Sequence, residues 1–193
     1  MHLLNCYSLV TGQKISRMYI RPSVFPLPSY KYITVHGFSK PSKNYRYINY
    51  VLEMIKPRLD VACIKMIQIG KEGEPALPYC ENLLGKTTLR QSFYVVKEAL
   101  LHLSVDTYSQ HVAGHFNVPQ VTLIGNNRTE NVKAFWHHPK SIFFEPDKKK
   151  FPFPSYSLED HEHQVDTIQP EEVARAVIKI LFDEELDWPY QSL

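Results

Sequence analysis

Three cysteines in 193 residues, Cys6, Cys63 and Cys80, are too few and too scattered for a disulfide framework or a zinc knuckle. Their thiols are expected to be reduced, and the expected location is cytoplasmic. No apolar run approaches the roughly 20 residues that a membrane-spanning helix needs. Met1 to Val10 has neither the basic start nor the long apolar core of a signal peptide. Neither sign of charge dominates. Lys and Arg number 22 against 20 Asp and Glu, a net charge of +2, and this excludes wholesale nucleic-acid binding. Internal repeats and low-complexity tracts are also missing. The remainder, 44% hydrophobic and 22% charged, fits one globular domain of ordinary core size.

The chain divides by its punctuation. Residues 1–31 form an arm. Leu3 to Val10 reads as a strand, Thr11-Gly12-Gln13 as a turn and Met18 to Ile20 as the returning strand of a hairpin. Pro22, Pro26 and Pro28 make Arg21 to Ser29 an extended connector. Residues 32–193 form the domain. Its strands are expected at 32–35, 62–69, 83–84, 103–105, 121–124 and 141–144, with Cys63 in the core as a small hydrophobe. A helix is expected over Asn44 to Ile55, where Tyr47, Ile48, Val51, Leu52 and Ile55 keep helical spacing and Pro57 stops it. Thr87 or Thr88 caps the next. The last opens on Pro170 with Glu171 and Glu172 in its first turn. The fold class is therefore α/β: a single Rossmann-like domain of about five mostly parallel strands, with helices on both faces.

The stretch His102 to Gly125 organises the rest. A short strand ends at Asp106, and Thr107, Tyr108 and Ser109 offer hydroxyls where a helix begins, with Ser109 the expected N-cap. Pro119 closes that helix and a second buried-type strand runs to Gly125. A strand feeding a helix N-terminus gathers backbone N–H groups and a positive dipole end at one place, which favours anions. Lys43, in a loop beside another helix start, is a point charge suited to phosphate oxygens. Gly85-Lys86-Thr87 is not a phosphate loop, because Cys80 stands where its first glycine belongs. His111 and His115 are four apart, yet no third ligand accompanies them, so no metal is expected. His161-Glu162-His163 reads as exposed. The Lys148–Lys150 run lies in a long loop over 145–164, and loops of that length are often functional.

These residues carry a resemblance. Asp106-Thr107, His111, Ala113, Pro119 and a strand ending in Gly125 resemble the Asp-Ser/Thr-Gly-x-x-His-x-Ala signature of family-nine glycosyltransferases, the ADP-heptose lipopolysaccharide heptosyltransferases and their kin. Tyr108 stands where that family usually has glycine. Gly37, Ser39, Lys43 and Tyr45 resemble a second family loop, Gly-x-Ser-x-x-x-Lys-x-Trp-Pro. Leu83 to Leu89 resembles a third, Leu-x-Gly-x-Thr-Ser-Leu.

The resemblance implies the C-terminal, nucleotide-sugar half of a GT-B enzyme. It implies a diphosphate site of Ser39, Lys43, Asp106, Thr107, Tyr108, Ser109 and His111. It implies a nucleoside site of Gly70, Glu72, Glu74, Leu84, Gly85 and Thr87, with Glu74 ahead of Glu72 for the ribose hydroxyls. The ligand would be a nucleoside-diphosphate sugar of the ADP-heptose kind, and transfer would be inverting and metal-independent, with no cofactor. The acceptor would be a glycan of the lipopolysaccharide type. In relatives the N-terminal half holds the acceptor and the carboxylate base. Here a second copy or another chain would complete the cleft, and no catalytic residue is assigned. The alternatives are a non-catalytic nucleotide-sugar or glycan-binding module and a structural interaction domain.

Overall fold

A computed structural model describes residues 1–154 and 163–183. After helix α1 (Leu3–Thr11), the domain runs β1 (Lys31–His36), α2 (Ile48–Val61), β2 (Ile64–Gln68), β3 (Cys80–Asn82), α3 (Leu89–Lys97), β4 (His102–Val105) and α4 (Tyr108–His115). It continues with β5 (Gln120–Leu123), α5 (Thr129–Val132), β6 (Ile142–Phe144) and α6 (Pro170–Phe182). The six strands form one sheet in the order β3-β2-β1-β4-β5-β6, and every pairing is parallel. The order reverses beside β1. In open sheets of this kind ligands bind at the carboxyl ends of the strands beside that reversal, which here means the loops after β1 and β4. Among the described residues no helix is long and apolar enough to cross a membrane.

Alternation along the central strands decides which face each helix covers. Ile33, Val35, Leu103, Val105, Val121 and Leu123 point to the side of α2 and α6 and form the larger core with Val51, Leu52, Ile55, Val173 and Val177. Tyr32, Ile67 and Ile69 point to the other side, where Val95, Val96, Val112 and Ala113 of α3 and α4 close a smaller core. On that second face the three middle strands also carry polar residues. Thr34, His36, His102, Ser104, Gln120 and Thr122 are all buried. The register stacks them in two rows, Thr34–His102–Gln120 and His36–Ser104–Thr122.

Helix ends follow their chemistry. Thr88 caps α3, accepting from the Gln91 N–H while the Gln91 side chain accepts from the Thr88 N–H. Pro170 opens α6 at its first position. Gly114 lies where α4 meets the 134–136 segment. A methyl group there would overlap the Trp136 carbonyl oxygen and press on the Ala134 methyl.

Several expectations are corrected. Leu3 to Thr11 is a helix, not the first strand of a hairpin: His2 caps it through its ring, and Gly12, at φ +67°, ends it in the left-handed conformation. Met18 to Ile20 forms no strand. Pro57 lies inside α2 rather than ending it. Glu53, whose carbonyl loses its partner there, is exposed like Pro57, so water can serve it. Cys63 is exposed, at φ +54°, outside the core. The short strand before α3 is Cys80–Asn82, not Leu83–Leu84. Residues 126–139, for which no element is expected, contain α5. His161 and Glu162 lie outside the described residues.

Gly114→Ala is expected to destabilise the protein by about 1–3 kcal/mol, although alanine is the better helix former by roughly 1 kcal/mol. Urea unfolding measures it. A midpoint equal to or above that of the parent would show that the α4 contact with residue 136 yields.

Candidate functional site

The loops after β1 and β4 face each other across the reversal of strand order. Lys43 reaches across to Asp106, Nζ to Oδ2 2.5 Å. The other carboxylate oxygen accepts from Gln110 Nε2 at 2.6 Å. The Ser39 hydroxyl donates to the Asp106 carbonyl at 3.3 Å, and the Asn44 side chain accepts from the Ser39 N–H at 2.8 Å. Gly125 closes the arrangement from beneath. A Cβ at that position would stand 3.1 Å from both Cα and Cγ of Lys43, so any larger residue just after β5 would press on the lysine loop.

Ser109 is not the N-cap. Thr107 occupies that position, with extended backbone and no side-chain capping bond. Ser109 is wholly buried and turns inward, within 3.0 Å of His36 Nδ1 and 2.8 Å of His102 Nε2, while His102 Nδ1 meets Thr34 Oγ1 at 2.9 Å. Burial pushes the His36 pKa down to about 4 and, with a smaller contribution from His36, that of His102 to about 3. Both rings are therefore neutral near pH 7. Burial also lowers the His111 pKa, against the pull of Asp106 beside it.

Two cavities open on this region. The first, about 460 Å³, is lined by Ser39, Thr107 and Tyr108 from the expected diphosphate set and by Gly70, Glu72, Glu74, Gly85 and Thr87 from the expected nucleoside set. The Gly85 N–H donates to the Gly70 carbonyl at 3.2 Å, which holds the two nucleoside loops together. Glu74 Oε2 is buried there without a hydrogen-bond partner, and burial raises the pKa of its carboxyl. Leu84 packs against Gly70 and does not line the cavity. The second cavity, about 610 Å³, takes Lys43, Asp106, His111 and again Tyr108, with the arm as its outer wall. The expected diphosphate residues are thus divided between two compartments. Tyr108 stands between them, its hydroxyl 3.0 Å from Ser92 Oγ and its ring edge-on to His36 at 5.4 Å between centroids. His36, Phe38, Lys71 and Ser92 line the first cavity without having been singled out. For His36 the available signal was a polar residue closing the first central strand.

The strand order and the paired loops at its reversal define a doubly wound, Rossmann-like domain. A sequence model of glycosyltransferase family 9 (heptosyltransferase) matches residues 42–154, more than half of the chain. The chain belongs to that family. Its structure resembles a family-nine glycosyltransferase from Veillonella parvula, with a TM-score of 0.60 and 17% identity over 81% of this chain and 47% of that one. It also resembles ADP-heptose lipopolysaccharide heptosyltransferase II of E. coli (0.58, 18%, 92% and 51%) and E. coli heptosyltransferase WaaC with ADP (0.56, 15%, 80% and 46%). The chain spans about half the length of each, and at these identities the likeness is one of fold. A search of curated proteins gives no match.

The buried histidines set a pH dependence. Above about pH 6.5 the rings are neutral whether the chain is folded or unfolded. As the pH falls from there toward 4, the unfolded chain takes up protons that the folded one refuses, so stability is lost. For His36 the full loss is on the order of 3 kcal/mol. Urea unfolding at pH 7.5, 6, 5 and 4 should show the decline, and His36→Gln should flatten it. A decline unchanged in that variant would assign the acid sensitivity to other groups.

Proposed function

We propose that this domain binds a nucleoside-diphosphate sugar in the first cavity, with the nucleoside on the Gly70–Glu74 and Gly85–Thr87 loops and the diphosphate at the start of α4. The observation that carries the reading is the meeting, on one cavity at the strand-order reversal, of Ser39, Thr107 and Tyr108 from the expected diphosphate set with Gly70, Glu72, Glu74, Gly85 and Thr87 from the expected nucleoside set. Glu74 adds to it, since a buried carboxylate oxygen without a partner suits the paired hydroxyls of a ribose. Lys43, which lies against Asp106 in the second cavity on the other side of Tyr108, would turn to the diphosphate. With the N–H groups and dipole of α4 and the Thr107 hydroxyl, it would stabilise charge on the leaving diphosphate without a metal ion.

The two solved heptosyltransferases from E. coli suggest an ADP-type donor, and the name of one suggests a lipopolysaccharide acceptor. Inverting transfer to a glycan also needs a base and an acceptor surface. In this reading a second copy or another chain supplies them, residues 32–193 act as the donor domain, and residues 1–31 are its arm. A non-catalytic donor-binding module is the second reading, favoured by Tyr108 at the glycine position of the family signature.

Calorimetry against ADP, GDP and UDP, with and without a chelator, tests the proposal. ADP is expected to bind with or without chelator. Lys43→Ala should weaken it by about 1.5–3 kcal/mol, the usual cost of a charged hydrogen-bond partner. Glu74→Gln should narrow the preference for ADP over 2′-deoxy-ADP. If none of the three nucleotides binds, the reading fails. Tyr108→Gly decides between the family's geometry and this chain's own. Tighter ADP binding would mean that the ring restricts the diphosphate, weaker binding that the ring contacts it, and unchanged binding would remove Tyr108 from the site.

A further inference from the structure

The second cavity is built unlike the first. Leu4, Ile15 and Met18 of the arm face Phe93, Val112 and Trp136 of the domain across about 610 Å³ of space. That volume lies within the range of small-molecule sites, roughly 300–1,000 Å³, which are likewise mostly apolar with a few polar groups. Its ionic groups are the neighbours Lys43 and Asp106, with His111 close enough for both charges to act on its ring. Protein interiors normally close such a space. Here the arm is fastened by polar contacts beside the cavity, while its apolar side chains line the opening. His2 Nε2 lies 2.9 Å from the Lys133 carbonyl, and the His2 ring meets Phe135 edge-on. Arg17 donates to the His115 carbonyl at 2.6 Å. The Ser23 N–H donates to the Arg90 carbonyl at 3.0 Å.

A sugar filling this volume would leave hydroxyls unpaired against apolar walls, which is costly. We propose that the second cavity binds a hydroxylated amphiphile, its polar head at Asp106 and His111 and its hydrocarbon tail beneath the N-terminal arm. The head then lies beside Tyr108, the wall shared with the first cavity. Binding stands on this cavity alone.

Calorimetry of the full chain with butyl, pentyl, hexyl and octyl β-glucosides, each below its micelle concentration, tests the inference. One molecule should bind per chain, and affinity should rise about fourfold per added methylene until the cavity is full. A flat series, or unsaturable binding to several sites, overturns it. Val132→Trp, which places an indole in the cavity, should cost octyl glucoside tenfold or more in affinity. Leu9→Ser combined with Val10→Ser, on the exposed face of α1, should cost nothing. An unchanged affinity in the first variant, or an equal loss in the second, places the tail elsewhere. Should Val132→Trp not fold, Leu4→Trp on the arm replaces it, with the same outcomes. Saturating ADP should leave octyl glucoside binding in place, and displacement would overturn the assignment of separate compartments. A rising series in a chain that binds none of the three nucleotides ends the nucleotide reading and leaves this site standing. ADP binding with a flat series does the reverse.

Discussion

One hydroxyl group, that of Ser109, joins the three elements on which the site depends. It lies between His36 at the end of β1 and His102 at the start of β4, and belongs to the first turn of α4. A serine hydroxyl can donate once and accept twice. Its capacity is used when it donates to one ring and accepts from the other, which requires neutral rings of complementary tautomer. Burial secures that neutrality. The start of α4, and with it Asp106, Thr107 and Tyr108, is therefore located by hydrogen bonds with directions rather than by apolar contact alone.

This explains why a parallel sheet, whose strands are ordinarily apolar on both faces, carries two polar rows under α4. Burying six polar side chains is unfavourable unless they find partners. Thr34, His36, His102 and Ser109 form one chain of partners, and Thr122 donates to Gln120 at 3.0 Å. Ser104 Oγ and Gln120 Nε2 are left without protein partners. The rows run across β1, β4 and β5, and the second, through His36 and Ser104, lies beside the carboxyl ends of β1 and β4, beyond which the Lys43–Asp106 pair spans the loops. Stability given up within the sheet thus fixes geometry at its edge.

Much of this was legible from local signals. Apolar runs bounded by polar residues marked β1, β4, β5 and β6 to within a residue or two. Pro170 with Glu171 and Glu172 marked α6. The loops at 39–43, 70–74, 85–87 and 106–111 stood out by their resemblance to family loops, Lys43 and the start of α4 by their chemistry as well, and they do converge on one end of the sheet. What was not legible depended on long-range contact or on solvent. The arm's leucines and valine suit strand or helix equally, and Gly12 serves a helix end as readily as a turn. Pro57 is tolerated because of the face on which it falls. The inward turn of Ser109 could not be read without knowing that two histidines from other strands wait behind it. Nor could the division of the charged residues into two compartments, since the arm that walls one of them joins the domain only in three dimensions.

The connector over residues 21–29 has a consequence for how that arm behaves. With Pro22, Pro26 and Pro28 it is a short, stiff leash, roughly 28 Å at full polyproline extension, and Ser23 shortens it further by its bond to α3. Ile20, Phe25 and Leu27 also pack against the smaller core, so the arm meets its own docking surface at a high effective concentration. Contacts that would be negligible between separate molecules, such as those of His2 and Arg17, are then enough to keep the arm down most of the time.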